Sequence, residues 1–226
     1  MIARIQFNEE LGRLHHDILA MGARVEEDIR KALQALRTGD AALAKEVRAG
    51  DEVVNAMQTK IEDQVAMLIA TQQPVARDLR ELVTMLKLTD NLERIGDYAV
   101  HLAKAARRLA DDPYPRSLER LETMAALGSA MLHDAMAAFL AKDEELARAT
   151  AARDDDIDAE HKAFIDEVLS YIRDFPDKAQ QATKLIATSG FLERLGDHVT
   201  NLCESVIYMV RSEERRVGKE CRSRWS

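Results

Sequence analysis

The chain has 226 residues, of which 46% are hydrophobic and 32% charged, with only 4% aromatic, 9 glycines and 4 prolines; that balance suits long packed helices and disfavours sheets or extended loops. A net charge of -8 excludes non-specific nucleic-acid binding, which needs a surplus of Lys and Arg on some face, and makes a cation or a basic partner the natural ligand. No apolar run is read as long enough to span a bilayer and the N-terminus lacks the build of a signal peptide, so a cytoplasmic protein is expected, with membrane contact only through partners.

In chain order, a first helix is predicted over Asn8 to Arg37, stopped by Thr38-Gly39. Asp40 is placed to cap a second helix over Ala41 to Thr71. Pro74 separates this from a third, Val75 to Ala110, and Pro113 and Pro115 in DDPYPRS mark a linker over 113–117. Three more helices follow: Leu118 to Ala141, Asp143 to Asp174 and, past Pro176, Lys178 to Val210. The segment 211–226, RSEERRVGKECRSRWS, breaks the preceding periodicity and resembles the read-through translation of a synthetic sequencing adapter; it is expected to be a non-native tail. Cys221 falls in that tail, which leaves Cys203 as the only body cysteine and no disulfide framework.

The chain repeats itself. Leu36 to Met57 overlays Phe139 to Glu160, with Leu36 on Phe139, Asp40 on Asp143, Asp51 on Asp154, Val54 on Ile157 and Ile61 on Phe164. In a register three residues shorter, LERIGD (Leu92 to Asp97) falls on LERLGD (Leu192 to Asp197). The third helix of each half carries an apolar seam in alternating steps of four and three, Leu88, Leu92, Ile95, Ala99, Leu102 and Thr188, Leu192, Leu195, Val199, Leu202, the spacing of left-handed helical bundles. The expected fold is all-α: two tandem, pseudo-symmetric three-helix bundles of six long antiparallel helices, over 1–112 and 118–210. At about 1.5 Å per residue such helices run about 45 Å, enough for neighbours to pack along their whole length.

In each third helix two acids stand one turn apart on a face away from the seam: Glu93 with Asp97, and Glu193 with Asp197. Asp90 and His101 share that face in the first half, Asn201 and Glu204 in the second. A solvated face, with Arg94 or Arg194 pairing nearby, would explain any such row. Yet like charges at this spacing weaken a helix by about 0.2–0.5 kcal/mol and an interior glycine, Gly96 or Gly196, by about 1, and both penalties recur in both halves. Glycine invites close approach by a neighbouring helix, and stacked carboxylates without nearby lysine invite a cation. Oxygen ligands of this kind suit Mg²⁺, Mn²⁺, Ca²⁺ or iron, whereas zinc wants more His and Cys than the chain offers. Additional ligands are expected from an adjacent helix, with Asp51 and Asn55, or Asp154 and Asp158, as the matched candidates.

The stretches IATQQPVARDLRELVTMLKLTDNLERIGDYAVHLAK (Ile69 to Lys104), FLERLGDHVTNLCESVIYMV (Phe191 to Val210) and the opening Phe7 to Asp40 closely resemble the PhoU phosphate-transport accessory proteins. The resemblance covers the whole body. It implies paired three-helix bundles, commonly dimeric, with multinuclear metal sites at the E-x-x-x-D motifs, whose ligands by matching position are Glu93, Asp97, Glu193, Asp197 and Asn201. It also implies negative regulation of the phosphate-starvation response, through a sensor histidine kinase and the ATPase subunit of a high-affinity phosphate ABC transporter. His101 and Lys104 stand where the second half has Asn201 and Glu204, so the first site is expected to bind a different ion or to bind more weakly.

Other residues read as structural: His15, His16, His133 and His161 as packed or solvated, Met21, Met57, Met67, Met85 and Met124 as core fillers, and Cys203 as an inert, buried thiol. Three other classes stay open. A ferritin-like carboxylate metalloprotein needs Glu-x-x-His pairs, and no Glu stands three residues before a histidine here; a metal-dependent hydrolase needs a base beside an open site; a purely structural helical protein would not need the acids at all.

Overall fold

The structure, a computed structural model, describes the backbone of residues 2–111 and 118–222 and the side chains of 4–109 and 118–211. The expected linker over 113–117 lies outside the described residues, as do the side chains of the tail beyond Arg211. Among the described residues seven α-helices follow in order: α1 (Ile2–Thr38), α2 (Ala41–Gln72), α3 (Arg77–Asp111), α4 (Glu119–Ala141), α5 (Glu144–Ala151), α6 (Asp154–Asp174) and α7 (Ala179–Arg222), with one 3-10 turn, Pro176–Lys178, before the last. There is no strand among the described residues.

The turns explain the boundaries. Gly39 sits at φ 68, the left-handed conformation that ends a helix without a Cβ clash, and the Asp40 carboxylate accepts from the Ala42 and Leu43 amides at 2.9 and 3.0 Å, capping α2 as expected. Asp143 does the same for α5, accepting from the Leu146 amide at 2.9 Å. The third helix begins at Arg77 and not at Val75, because Gln73 and Ala76 either side of Pro74 both take positive φ. The first begins six residues earlier than its pattern suggested, where Phe7 is buried and Arg4 pairs with Asp78 at the start of α3. The fifth helix is not continuous: the ladder tightens to i−3 bonds at Arg153 and Asp156, both 3.1 Å, and the rod breaks at Ala152–Arg153 into α5 and α6. Arg153 is held there by Asp134 of α4 at 2.6 Å.

α1, α2 and α3 pack on one another as one bundle, and α4, the broken α5–α6 rod and α7 as the other. The halves join where α3 lies against α7 and α1 against α4, and one apolar core runs through both. All ten seam positions are buried. Met67, expected in the core, is 65% exposed, because it lies on the outer side of α2 past Leu68. By length and composition α4 is apolar enough to cross a membrane, with a mean hydropathy of 1.4, against the expectation that no segment would qualify; half of that stretch is buried against neighbouring helices, as a core helix requires.

At one end a buried carboxylate ties the halves together. Glu81 of α3 is 4% exposed and accepts from His15 of α1 at 2.8 Å and from Lys142, at the turn after α4, at 2.9 Å. Burial opposes this charge, but His15 and Lys142 outweigh it and hold the carboxyl down to about 2. The His15 ring also stacks on Phe139 of α4 at 4.9 Å.

Candidate functional site

The carboxylates turn away from the seam, as the spacing required: Asp51, Glu93, Asp97, Asp154 and Glu193 are half-buried between helices, while Asp90, Asp158 and Asp197 are exposed. In the first half Glu93 and Asp97 of α3 look toward α2, where Asp51 comes to meet them. Burial raises the Glu93 carboxyl above its usual range and Asp97 adds to the rise, with Asp90 and Asp51 contributing and Arg94 opposing. Arg94 stays 3.6 Å from Glu93, beyond hydrogen-bond length. Asp51 is raised by burial and by Asp97, and lowered by Lys104. Asn55, one turn further along α2, is exposed. His101 lies within the field of Asp97 and Asp51, yet its ring is stacked on Phe191 of α7 at 4.4 Å and 13°, and burial lowers its pKa. That ring serves the joint between α3 and α7 in company with Tyr98, while His198 Nδ1 meets Asn91 Oδ1 at 2.8 Å nearby.

One element of the first site has no counterpart in the sequence expectations. Asp28 of α1, 3% exposed, joins the field that raises Asp51. One of its oxygens accepts from Arg24 Nε at 2.8 Å, and the other has no partner. The Arg24 guanidinium lies over Gly50, where a side chain would collide with it.

In the second half Glu193 and Asp197 of α7 face Asp154 and Asp158 of α6. Burial raises Glu193, then Asp197; His161 of α6 lowers it. Asp154 is pushed up to about 6 by burial, then by Asp197 and Asp158, with Thr200 offsetting part of the rise. Neither Thr200 Oγ1 nor Asp154 Oδ1 completes a hydrogen bond, however, and His161 Nδ1 is likewise shut from water without a partner. Each such atom costs about 1–3 kcal/mol. A Cβ on Gly196 would run into the Asp154 carboxylate and come within 3.0 Å of Ile157, so glycine is what lets the two helices close here. At the matching Gly96 a Cβ would make ordinary contact with Val54 at 3.4 Å. Asn201 and Glu204 lie further along α7, exposed.

The acids expected to cooperate are therefore brought together by pairs of helices, α2 with α3 and α6 with α7; Asn55, Asn201 and Glu204 stand at the margins. Among the described residues no three His, Cys, Asp or Glu side chains already close on one point. The donor sets still fit a cation, the second better than the first. The second combines four carboxylates, three orphaned polar atoms and a glycine cradle, whereas Lys104 supplies positive charge in the first. Cys203 takes no part: it is fully buried, and burial pushes its thiol up to about 12. The signal for His161 and Thr200 was present in the repeat, since they lie on the faces that carry Asp158 and Asp197, but only the packing of α6 on α7 shows them enclosed.

A family model described as the PhoU domain matches residues 18–106 and again 121–206, one match in each bundle. Among curated proteins, a phosphate-specific transport system accessory protein PhoU homolog from Clostridium acetobutylicum is 34% identical over 209 residues, covering 92% of this chain and 95% of that protein. A homolog of the same description from Pseudomonas aeruginosa is 34% identical over 215 residues, 94% and 89% of the two chains. Among solved structures, PhoU from Pseudomonas aeruginosa superposes with a TM-score of 0.88 at 34% identity, covering 91% of this chain and 99% of that one. The phosphate transport system regulatory protein PhoU from Streptococcus pneumoniae gives 0.82 at 31%, covering 90% and 96%.

Proposed function

The chain belongs to the PhoU family, and on that premise we propose that it is a metal-binding negative regulator of the phosphate-starvation response. In this reading it is a cytoplasmic adaptor between the ATPase subunit of a high-affinity phosphate ABC transporter and a sensor histidine kinase. A role in regulating phosphate transport rests on relatives described as phosphate-specific transport system accessory proteins, which match over nine-tenths of the chain. The finer role rests on the family's implied partners and on the observation that carries the metal: two carboxylate groups, each built across two helices.

The cations are divalent or trivalent ions suited to oxygen donors, Mg²⁺, Mn²⁺ or iron. Glu93, Asp97 and Asp51 would hold one group, and Glu193, Asp197, Asp154 and Asp158 the other. A bound ion neutralises crowded carboxylates and fastens α2 to α3 and α6 to α7. The protein then works by presenting helical faces to partners and not by turnover; Cys203 is buried with its thiol pushed up to about 12, which keeps it inert. A homodimer is the expected assembly, measurable by sedimentation.

The test is direct capture. Purified, metal-loaded chain immobilised on resin should retain the transporter ATPase and the cytoplasmic part of the kinase from defined mixtures. Absence of enrichment for either protein, with the chain folded by circular dichroism, would overturn the adaptor role.

A further inference from the structure

Building on the reading that the carboxylate groups hold cations, we propose that His161 is a nitrogen ligand of the second-half site. It makes that site favour borderline ions such as Zn²⁺, while the first-half site keeps to hard ions such as Mn²⁺ or Mg²⁺. Asp154, Asp158 and His161 follow one another at i, i+4 and i+7, so they form a single stripe on α6. That stripe faces Glu193 and Asp197 of α7, and the imidazole is near enough to Glu193 to act on its charge.

Polar atoms enclosed by a folded chain nearly always have a partner. Here Nδ1 of His161, Oδ1 of Asp154 and Oγ1 of Thr200 are all enclosed and all lack one. These unmet atoms lie along the same pair of helices, Asp154 beside Thr200 and His161, two turns further along α6, near Glu193.

The repeat supplies the contrast. In its register Asn55 stands for Asp158, and Gln58 stands for His161. A carboxylate and an imidazole have become two neutral amides, which are hard and weak oxygen donors. Imidazole is the donor that zinc, nickel, copper and ferrous iron accept readily, whereas carboxylate and carbonyl oxygens suit magnesium and manganese. Asp158 and His161 thus form an Asp-x-x-His pair on one helix face. This is the chemistry of the Glu-x-x-His pairs in helical carboxylate-metal proteins, with one methylene fewer.

The experiment titrates the metal-free full chain with Zn²⁺ and, separately, Mn²⁺ by calorimetry, and records the visible spectrum with Co²⁺. It uses wild type, His161→Gln, Gln58→His and the double variant Glu193→Gln with Asp197→Asn. His161→Gln should weaken Zn²⁺ at one site by at least about tenfold, change the Co²⁺ bands, and leave Mn²⁺ affinity little altered. Gln58→His should move the first site the other way. If Glu193→Gln/Asp197→Asn removes a site while His161→Gln leaves Zn²⁺ affinity and the Co²⁺ spectrum untouched, the metal reading stands and the histidine ligand is overturned. If the double variant too binds as wild type does, the carboxylate site itself fails, and the histidine's role with it.

Discussion

The two halves set the same E-R-[IL]-G-D motif on the same buried seam, yet they build different grooves beneath it. In the first, α2 runs unbroken past Asp51, Lys104 places positive charge close by, and the ring of His101 is stacked on Phe191. In the second, the rod breaks at Ala152–Arg153, Asp154 opens α6 directly against Gly196, and Asp158 and His161 add to the donors. Duplication thus preserves the scaffold, because seam burial depends on periodicity alone. The charge of each groove is set by a few unmatched neighbours that periodicity does not constrain.

The largest effect should come where the comparison depends on both halves holding together. Glu81→Gln removes the carboxylate shared by His15 and Lys142, and should cost about 3 kcal/mol at pH 7, the worth of lowering its carboxyl from 4.5 to about 2. Because the folded pKa is depressed, that stabilisation is complete above about 4.5 and disappears as pH falls toward 2. Urea unfolding at a series of pH values should show wild type losing stability over this window and the variant changing less.

Next, Gly196→Ala should destabilise by about 1–3 kcal/mol through overpacking against Asp154 and Ile157. Gly96→Ala should be neutral or stabilise by up to about 1, since its new methyl meets only ordinary contact. Equal effects in thermal unfolding would erase the difference drawn between the grooves.

Asp154→Asn should stabilise the metal-free protein, by about 1 kcal/mol once partial solvation is allowed for, because it removes a charge that burial and Asp197 disfavour. The same change should abolish the stabilisation that added metal gives to the second half. Asp51→Asn should act in the same direction but less, because Lys104 already offsets that charge. Differential scanning calorimetry with and without metal separates the two. The caps should behave alike in both halves: Asp40→Ala and Asp143→Ala each cost about 1 kcal/mol.

Much of this was legible in the sequence. The seam from Leu88 to Leu102 and its partner from Thr188 to Leu202 are buried as their spacing required, and Asp40 caps where punctuation placed it; Asp143, its counterpart in the repeat, was read as the first residue of a helix and instead caps one. The acids four apart do share a face. What was not legible depends on contacts between helices. Asp28 reads as one more surface acid until the packing of the first bundle buries it, and His161 reads as packed or solvated until the fold encloses its Nδ1 without a partner. The break before Asp154 did leave a local trace, since Asp154, Asp155 and Asp156 suit the first turn of a new helix, but the apolar periodicity runs on across it.

The claim most worth testing is that two unequal ion sites lie across these helix pairs. Metal-free protein should be titrated with Mn²⁺ under electron paramagnetic resonance, using wild type, Glu93→Gln/Asp97→Asn and Glu193→Gln/Asp197→Asn. The account predicts that each double variant loses one class of bound ion, the second-half variant losing the tighter class, with helicity unchanged. Bound Mn²⁺ identical in all three proteins would contradict it.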